Sequence, residues 1–155
     1  VESRGPPLSP TDGAEGWRSV TAAVAARIRE AAASVEQEQL PVVLADAKQL
    51  TQLLSELLEN SLKFRREESL RVRIKTERSD SQSLWRFRFS DNGRGIAPQH
   101  LARVFQMFQR CCPDVPGVGA GLAIAQRIVQ RHGGTIWGES TVGSGTSICF
   151  TLPVL

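Results

Sequence analysis

The sequence predicts an α+β fold in which a layer of helices covers a mixed, largely antiparallel sheet. Three observations support this prediction: an amphipathic helical segment in the middle of the chain, two pairs of consecutive strand segments, and a glycine-bounded helix between those pairs. Consecutive strands joined by polar turns are typical of antiparallel sheets, whereas strict alternation of strands and helices indicates a parallel sheet. The order of elements therefore favours a two-layer sandwich over a doubly wound fold.

Length and composition fit one domain with its own core. The chain has 155 residues, 41% of them hydrophobic, and its 19 basic and 16 acidic residues leave a formal net charge of +3. This surplus is too small to indicate nucleic-acid binding. No apolar run reaches the roughly 18 to 20 residues that cross a bilayer, and no signal-peptide pattern is visible. Without a Cys-x-x-Cys or His/Cys cluster, neither a disulfide framework nor a zinc site is expected. We therefore expect a cytoplasmic domain without membrane contact.

The amino-terminal part of the chain is predicted to begin with a tail. Residues 1–16 are rich in Pro, Gly and Ser and carry few apolar anchors, which is typical of a flexible linker. The domain then extends over 17–155. Its first elements are an alanine-rich helix over 20–33 and short extended segments at 34–37 and 41–44.

Three further helices are predicted, and the longest covers residues 47–64. Asp46 is a suitable N-cap for it, and Gln49 follows three positions later, as in a capping box. A second helix is predicted over 98–108 and a third over 121–131, which two glycines end. The helix over 47–64 carries apolar residues at helical spacing, which predict one buried face: Leu50, Leu53, Leu54, Leu57, Leu58 and Leu62.

Two strand pairs complete the predicted sheet. Apolar residues alternate with basic ones at 70–75 and again at 85–89, and a polar segment joins these two strands. The last pair is predicted at 135–139 and 146–152, with glycines in the turn between them. Both pairs are expected to form antiparallel hairpins.

The first segment that could carry chemistry lies on the longest helix. Glu56, Asn60 and Lys63 stand at positions i, i+4 and i+7, so they share the face opposite the leucines. An amide oxygen, a carboxylate and an ammonium group together suit a hydrated Mg²⁺ ion and phosphates. The same pattern also describes the solvated side of an ordinary amphipathic helix, which is the commoner case.

The second segment, Asp91-Asn-Gly93-Arg-Gly95, directly follows a predicted strand. Glycines two positions apart allow the backbone to approach a flat ligand, and Asp91 offers a hydrogen-bond acceptor. A carboxylate facing the exocyclic amine of a purine favours adenine over guanine, because guanine presents a carbonyl there. An ordinary Asp-Asn-Gly turn explains these residues equally well.

The third and fourth segments both suit an anionic ligand. Gly117, Gly119 and Gly121 lead into a predicted helix, whose free N–H groups attract anions, although no Gly-Lys-Ser/Thr signature of a P-loop follows. The spacing does not match a dinucleotide fingerprint either. In the segment Val104-Phe-Gln-Met-Phe-Gln-Arg110 the phenylalanines are predicted to lie in the core. Arg110, at the end of that helix, could neutralise charge on a triphosphate.

Together, in this order, the four segments resemble the catalytic and ATP-binding domain of sensor histidine kinases. These kinases belong to the gyrase, chaperone, histidine-kinase and mismatch-repair ATPase superfamily. The resemblance extends from Val20 to Leu152 and includes Arg131-His-Gly-Gly-Thr-Ile-Trp137 and Gly143-Ser-Gly-Thr146. Residues 105–110 and 131–137 are most similar to phytochrome-type kinases. The resemblance implies a Bergerat-type ATP-binding fold with ATP and Mg²⁺ as ligands.

The resemblance also implies roles for single residues. Asn60 would bind Mg²⁺, Asp91 would accept the adenine amine, and Lys63 and Arg110 would contact phosphates. Glu56 stands where many kinases have asparagine, and it would order water or join the metal shell. Glu56, Asn60, Lys63 and Arg110 are the implied catalytic set. The implied nucleotide contacts are Asn60, Lys63, Asp91, Gly93, Gly95, Ile96, Phe108, Gly117, Gly119, Gly121, Leu122 and Thr146.

The phosphoacceptor is expected outside this chain. His100 and His132 are the two histidines, and neither lies in the acidic helical context of an acceptor. The resemblance therefore implies an acceptor histidine on a separate dimerisation domain of a homodimeric parent protein, and a response-regulator receiver domain as the next partner. The isolated domain would be a monomer that binds neither nucleic acid nor membrane.

Other functions remain open at this point. A short lid between Phe108 and Gly117, with Ala120 and Ser61 replacing the usual residues, would suit an ATP-binding regulatory module of a phosphatase-biased receptor with little kinase activity. A chaperone or topoisomerase ATPase agrees less well with the compact length and with residues 131–134. A nucleic-acid surface agrees less well than a solvated or docking face for the basic residues that share one side of the sheet: Arg71, Arg73, Lys75, Arg86 and Arg88.

Overall fold

The structure, a computed structural model, describes residues 7–95, Gln99 and 118–155. Within these ranges the predicted α+β architecture with a mixed, largely antiparallel sheet is confirmed. Apart from Gln99, the helix predicted over 98–108 lies outside the described residues. The elements in chain order are β1 (Ser9–Asp12), α1 (Gly13–Ala23), α2 (Ala25–Glu30), β2 (Ser34–Gln37), β3 (Val42–Ala45), α3 (Ala47–Lys63), β4 (Arg71–Ser79), β5 (Leu84–Asp91), α4 (Val118–Arg131), β6 (Ile136–Thr141) and β7 (Gly145–Pro153).

Five of the described strands form the main sheet, in the order β2-β4-β5-β7-β6. Strand β2 runs parallel to β4, and the other neighbouring pairs are antiparallel. This order arises because the two predicted hairpins, β4–β5 and β6–β7, meet along β5 and β7. In the resulting register Asp91 at the end of β5 lies opposite Thr146 on β7. Two residues that are far apart in the sequence are thereby placed side by side.

The amino-terminal region differs from the expected tail. Ser9–Asp12 forms β1, which pairs antiparallel with β3, and helix α1 begins directly afterwards at Gly13. Asp12 caps this helix, since its carboxylate accepts a hydrogen bond from the backbone N–H of Ala14 at 2.9 Å. Trp17 is 1% exposed and anchors α1 in the core. A strand of four residues with a proline in it is too short to be recognised by alternation, so composition alone indicated a linker.

The core lies between α3 and the main sheet, as the leucine pattern predicts. Each of the six leucines of α3 is at most 1% exposed. Opposite them, Phe87 and Phe150 stack with ring centroids 4.8 Å apart, and Trp17 meets Phe89 edge-on at 5.9 Å. None of the helices in the described ranges is long and apolar enough to cross a membrane.

Helix α3 begins at the predicted N-cap. The Asp46 carboxylate accepts hydrogen bonds from the backbone N–H groups of Lys48 and Gln49 at 3.0 and 3.3 Å. The reverse contact of a capping box is not formed, because the Gln49 side chain accepts a hydrogen bond from Arg131 instead. The start of α3 is therefore connected to the end of α4.

Three of the five basic residues on the outer face of the main sheet form ion pairs with glutamates. Within the described chain, each of three arginines on this face has an acidic partner, so the face does not present charge of one sign. This arrangement suits a solvated face better than a surface that follows a phosphate backbone. The ion pairs are Arg73–Glu36 at 4.0 Å, Arg86–Glu77 at 2.7 Å and Arg88–Glu139 at 2.8 Å.

Candidate functional site

A cleft opens between the carboxyl-terminal half of α3, the end of β5 and the start of β7. Four of the predicted site residues meet there: Asn60, Asp91, Gly95 and Thr146. They meet because α3 packs across the sheet and because β5 and β7 are paired in the register described above. The cleft is lined, among the described residues, by Leu57, Asn60, Ser61, Phe64, Phe89, Asp91, Arg94, Gly95, Thr146 and Ile148.

The Asp91 carboxylate is the most firmly oriented polar group of the cleft. Its Oδ2 accepts a hydrogen bond from Ser61 Oγ at 2.7 Å, and its Oδ1 accepts from the backbone N–H groups of Gly93 at 2.9 Å and Thr146 at 3.3 Å. A carboxylate offers about four lone-pair positions, so this one can accept one further hydrogen bond from a ligand. A fixed acceptor at the base of a cleft can select a ligand that donates a hydrogen bond there.

Ser61 is a site residue that the sequence analysis treated as a departure from the family. Its side chain is buried on the leucine-rich side of α3, at 3% exposure, and its hydroxyl holds Asp91 in place. The sequence did contain a signal for this role: Ser61 places a hydroxyl on the otherwise apolar face of the helix. A hydroxyl that is buried there needs a hydrogen-bond partner.

Gly93 allows the loop after β5 to pack against the end of α3. A Cβ atom at this position would lie 2.9 Å from the carbonyl oxygen of Phe64 and 3.1 Å from Asp91 Oδ1. The backbone N–H of Arg94 donates to the same Phe64 carbonyl at 3.0 Å. The predicted glycine pattern is therefore needed here for contact between loop and helix, in addition to any contact with a ligand.

Two arginines that the sequence analysis did not single out connect the chain segments around the opening of the cleft. The Arg94 guanidinium lies over the Phe64 ring, 5.5 Å from its centroid. Arg66 donates hydrogen bonds to the carbonyl oxygens of Asn92 at 2.9 Å and Gly143 at 2.7 Å. These contacts join the end of α3, the loop after β5 and the β6–β7 turn. Arg66 supplies hydrogen-bond donors to backbone carbonyl oxygens that lie outside the helices and strands.

Glu56 faces the amino-terminal turn of α4. A Cβ atom on Gly121 would lie 3.0 Å from Glu56 Oε1, so the two helices approach each other closely at this point. Burial raises the pKa of the Glu56 carboxyl group, repulsion from Glu59 adds to the rise, and Lys63 opposes it. Glu56 and Asn60 are one helical turn apart on the same face of α3. Asn60 lines the cleft and Glu56 lies next to α4, so two oxygen-bearing side chains lie between the cleft and α4.

The remaining predicted site residues that the structure describes are not among the cleft lining. Helix α4 begins at Val118, so Gly119 and Gly121 lie in its first turns instead of in a preceding loop. Leu122 is 0% exposed and belongs to the core. Lys63 is exposed in the last turn of α3, outside the cleft lining. The predictions for Ile96, Phe108, Arg110 and Gly117 lie outside the described residues.

His132 is a buried structural residue. Its Nδ1 donates to the carbonyl oxygen of Ile128 at 2.7 Å, and its Nε2 accepts from the backbone N–H of Asp46 at 3.1 Å. The ring is 4% exposed, and burial lowers the pKa of His132. Since both ring nitrogens are occupied within the fold, the imidazole is not available as a phosphoacceptor. His100 lies outside the described residues.

Known proteins similar to this chain include phytochromes and sensor histidine kinases. Cyanobacterial phytochrome A of Nostoc sp. strain PCC 7120 is 42% identical over 130 residues, which cover 83% of this chain and 17% of that protein. The phytochrome-like protein Cph1 of Synechocystis sp. strain PCC 6803 is 36% identical over 156 residues, which cover 99% of this chain and 21% of that protein. The chain thus spans about a fifth of the length of these relatives.

Solved structures share the fold. Full-length ShkA in complex with AMPPNP matches with a TM-score of 0.80 and 29% identity, over 99% of this chain and 32% of that one. The mycobacterial sensor histidine kinase MprB matches with a TM-score of 0.77 and 28% identity, over 94% of this chain and 97% of that one. The nucleotide-free catalytic domain of histidine kinase ThkA matches with a TM-score of 0.78 over 94% of this chain and 95% of that one; at 23% identity this is a likeness of fold.

The family follows from these similarities together with the geometry of the cleft. The resemblance to sensor histidine kinases, with phytochromes among the relatives, is confirmed. Residues 45–155, from the end of β3 to the last residue, match a single family description. The chain belongs to the histidine kinase-, DNA gyrase B- and HSP90-like ATPases.

Proposed function

We propose that this chain is the ATP-binding catalytic domain of a sensor histidine kinase, and that it donates the γ-phosphoryl group of ATP to a histidine on a separate domain. The observation that carries the proposal is the Asp91 carboxylate, which Ser61, Gly93 and Thr146 hold at the base of a cleft that also contains Asn60. Membership of the ATPase family and the histidine-kinase relatives support it.

The cleft suits adenine as the base of the nucleotide. Asp91 has its donors on Ser61, Gly93 and Thr146, so the acceptor position that remains would receive the exocyclic amine of adenine. Guanine would direct a carbonyl oxygen at the carboxylate, which repels it and leaves both groups without a donor. Phe89 and Ile148 offer apolar walls for the flat base.

Asn60 fits a role as ligand of a Mg²⁺ ion. The described residues contain no cluster of three or more His, Cys, Asp or Glu side chains that could hold a metal ion by themselves. This matches Mg²⁺, which keeps several waters and completes its octahedral shell with substrate phosphates and one or two protein oxygens. The bound ion would supply neutralisation of phosphate charge. Lys63 and the N–H groups at the start of α4 would orient the phosphates, and Arg110 remains a predicted contact.

The partner that receives the phosphoryl group is proposed to lie on another domain. His132 is committed to the fold through both ring nitrogens. The relatives are about five times longer than this chain, which leaves room for a dimerisation domain with the acceptor histidine in a homodimeric, cytoplasmic parent protein. A response-regulator receiver domain would follow; the related fold of ThkA has been solved in complex with the response regulator TrrA, with a TM-score of 0.75. The catalytic unit would include residues 17–155 and strand β1.

Calorimetric titration of the chain with ATP and GTP, with and without Mg²⁺, tests the site. We expect ATP to bind and GTP to bind at least about fivefold more weakly, because one mispaired buried polar group costs about 1–3 kcal/mol. Asp91→Asn should lose most of the ATP affinity, and Asn60→Ala should lose the dependence on Mg²⁺. Asp80→Asn, in the exposed β4–β5 turn, is the matched control and should change neither. Equal affinity of the native chain for ATP and GTP would contradict the proposal.

Phosphoryl transfer distinguishes the kinase from the regulatory module considered above. The native chain and γ-labelled ATP are mixed with the isolated dimerisation and phosphoacceptor domain of a phytochrome-type relative. Labelled acceptor histidine supports the kinase, whereas tight ATP binding without transfer favours a module with little kinase activity. Without the added domain, the chain itself should remain unlabelled.

A further inference from the structure

The segment Arg131-His132-Gly133-Gly134 does not line the cleft, yet Arg131, His132 and Gly134 make close contacts with other elements. It begins with the last residue of α4, at the end of that helix away from Glu56 and Gly121. The contacts reach the first turn of α3 and the carboxyl-terminal part of β7. The segment therefore joins the two helices that flank the phosphate side of the proposed site.

His132 links the end of α4 to the residue that caps α3. Because the carbonyl oxygen of Ile128 can only accept a hydrogen bond, the proton of the ring lies on Nδ1, and Nε2 is left as an acceptor. That acceptor binds the backbone N–H of Asp46 at 3.1 Å. Asp46 thus has its own N–H bound by α4 while its carboxylate holds the first N–H groups of α3.

Arg131 makes a second link between the same two helices. Its guanidinium donates to Gln49 Oε1 at 3.1 Å and lies 3.5 Å from Asp46 Oδ2. The side chains of Arg131 and Asp46 are only 9% and 8% exposed. Charged groups that are this deeply buried hold their geometry closely, since losing the partner leaves an uncompensated charge.

Gly134 fixes the same segment against the sheet. A Cβ atom at this position would lie 2.0 Å from the carbonyl oxygen of Thr151 on β7, so no side chain fits there. The next residue, Thr135, donates its backbone N–H to Thr151 Oγ1 at 2.9 Å. The end of α4 is therefore held by α3 and by β7 together.

These links act at one end of an antiparallel helix pair, and the proposed phosphate site lies at the other. Gly121 is ten residues before Arg131 on α4, and Glu56 is ten residues after Asp46 on α3. At a rise of about 1.5 Å per residue, both distances are about 15 Å. A shift of α4 along α3 at the linked end would therefore move Gly121 past Glu56 by the same amount.

We propose that Arg131 and His132 are positioning residues for nucleotide binding: they set the axial register of α4 against α3 and so place the amino end of α4 relative to Asn60. The inference rests on the proposed function, since it concerns the affinity of the same site for ATP. The link through His132 requires a neutral ring, because a protonated Nε2 cannot accept the N–H of Asp46. The charged groups that act on this ring are Arg131 on α4 and Asp46 at the start of α3.

The experiment is a calorimetric titration of the chain and its variants with Mg·ATP at pH 8. His132→Ala should weaken binding about fivefold, and His132→Gln, whose amide oxygen reaches the Nε2 position, should restore most of it. Gln49→Ala removes only the acceptor of Arg131 and should weaken binding about twofold to threefold. Ile136→Val, a core change of mild cost on the edge strand β6, is the control for general destabilisation and should leave the affinity unchanged.

A pH profile adds a result that a merely structural role would not produce. As the pH falls from 8 through the lowered pKa of His132, the native chain should lose more Mg·ATP affinity than His132→Gln, because only the native chain loses the acceptor at Nε2 on protonation. Protonation of the nucleotide is common to both proteins and cancels in the comparison. If the His132→Ala variant does not fold, His132→Gln and Gln49→Ala carry the test.

Affinity measurements distinguish failure of the proposed function from failure of this inference. If the native chain does not bind Mg·ATP at pH 8, the proposed function is wrong and the inference falls with it. If the native chain binds and the folded variants at positions 132 and 49 match it in affinity and in pH profile, only the inference is wrong.

Discussion

Asp91 shows how a single side chain can be prepared for a ligand by its neighbours. Its carboxylate is held by one hydroxyl from α3 and by two backbone N–H groups from the loop after β5 and from β7. Three elements must therefore be in place before the acceptor points into the cleft.

Ser61→Ala tests this arrangement without removing the carboxylate. We expect ATP affinity to fall roughly fivefold, since a net hydrogen bond contributes about 1 kcal/mol and Asp91 would keep only its backbone donors. Calorimetric titration gives the affinity. Ser90→Ala is a matched control one position before Asp91, because its hydroxyl is within 3.0 Å of Ser147 Oγ on the other face of the sheet. Equal loss in both variants would show that Ser61 does not act through Asp91.

Glu56→Gln should stabilise the chain at neutral pH. Burial and the neighbouring Glu59 raise the pKa of Glu56 above its ordinary value of 4.5, so the folded state favours the protonated carboxyl group. Its contribution to stability is therefore present below pH 4.5 and is lost as the pH rises through the raised pKa. Urea unfolding should show a higher free energy of unfolding for the variant at pH 7 and a difference that closes towards pH 4. Glu67→Gln, in an exposed loop, should show no such trend.

The helix pair α3–α4 illustrates how much of a site depends on contacts at its far end. The leucines of α3 bury its apolar face, but apolar contacts alone allow small shifts along the helix axis. The directed contacts of Arg131 and His132 remove that freedom at one end, and the close approach of Gly121 to Glu56 limits it at the other. The position of α4 along α3 therefore depends on directed contacts at both ends of the helix pair, in addition to apolar packing.

The neighbouring glycines after α4 should respond very differently to alanine. Gly134→Ala should destabilise the chain by roughly 3–5 kcal/mol, because its Cβ would lie 2.0 Å from the carbonyl oxygen of Thr151 and β7 would have to move. Gly133 has a φ of +75° and open space around it, so Gly133→Ala should cost only about 1–2 kcal/mol of backbone strain. Urea unfolding of the two variants measures the difference. Similar losses would mean that β7 yields to the added methyl group.

At the scale of the whole molecule, the amino-terminal strand belongs to the fold. Strand β1 pairs antiparallel with β3, whose Val43 and Ala45 are completely buried. Asp12, the last residue of β1, caps α1. Removing residues 1–12 should therefore lower the free energy of unfolding by at least about 1 kcal/mol, the cost of the lost cap alone. Removing residues 1–6, which precede the described part of the chain, is the control. Because β1 does not line the cleft, neither deletion should change ATP affinity by more than about twofold.

Periodicity and capping were sufficient to predict most of the architecture. Helix α3 could be predicted from its spaced leucines and its N-cap Asp46, and strands β4 and β5 from their alternating residues. Each of these patterns lies within the element that it predicts. Strand β1 and the early start of α1 were missed, because a short strand gains its stability from a distant partner, here β3.

The sequence predicted several polar residues of the cleft, and their roles in nucleotide binding stay predictions; it did not predict the residues that hold them in place. Asn60, Asp91, Gly95 and Thr146 do line one cleft, as the order of segments indicated. Ser61 and Arg66 bind carboxylate and carbonyl oxygens of residues far away in the sequence, and Arg94 lies over the ring of Phe64. Such partners become visible only when the chain is folded.

The edge-on contact of Trp17 with Phe89 gives the protein an optical reporter of its own. The indole is shielded from solvent at 1% exposure, and the phenyl ring that it touches also forms part of the cleft wall. Any ligand that presses on Phe89 changes the surroundings of the indole, and indole emission is sensitive to such changes. The Trp17 part of the fluorescence, to which two other tryptophans of the chain also contribute, should therefore change when a ligand occupies the cleft of the unlabelled chain.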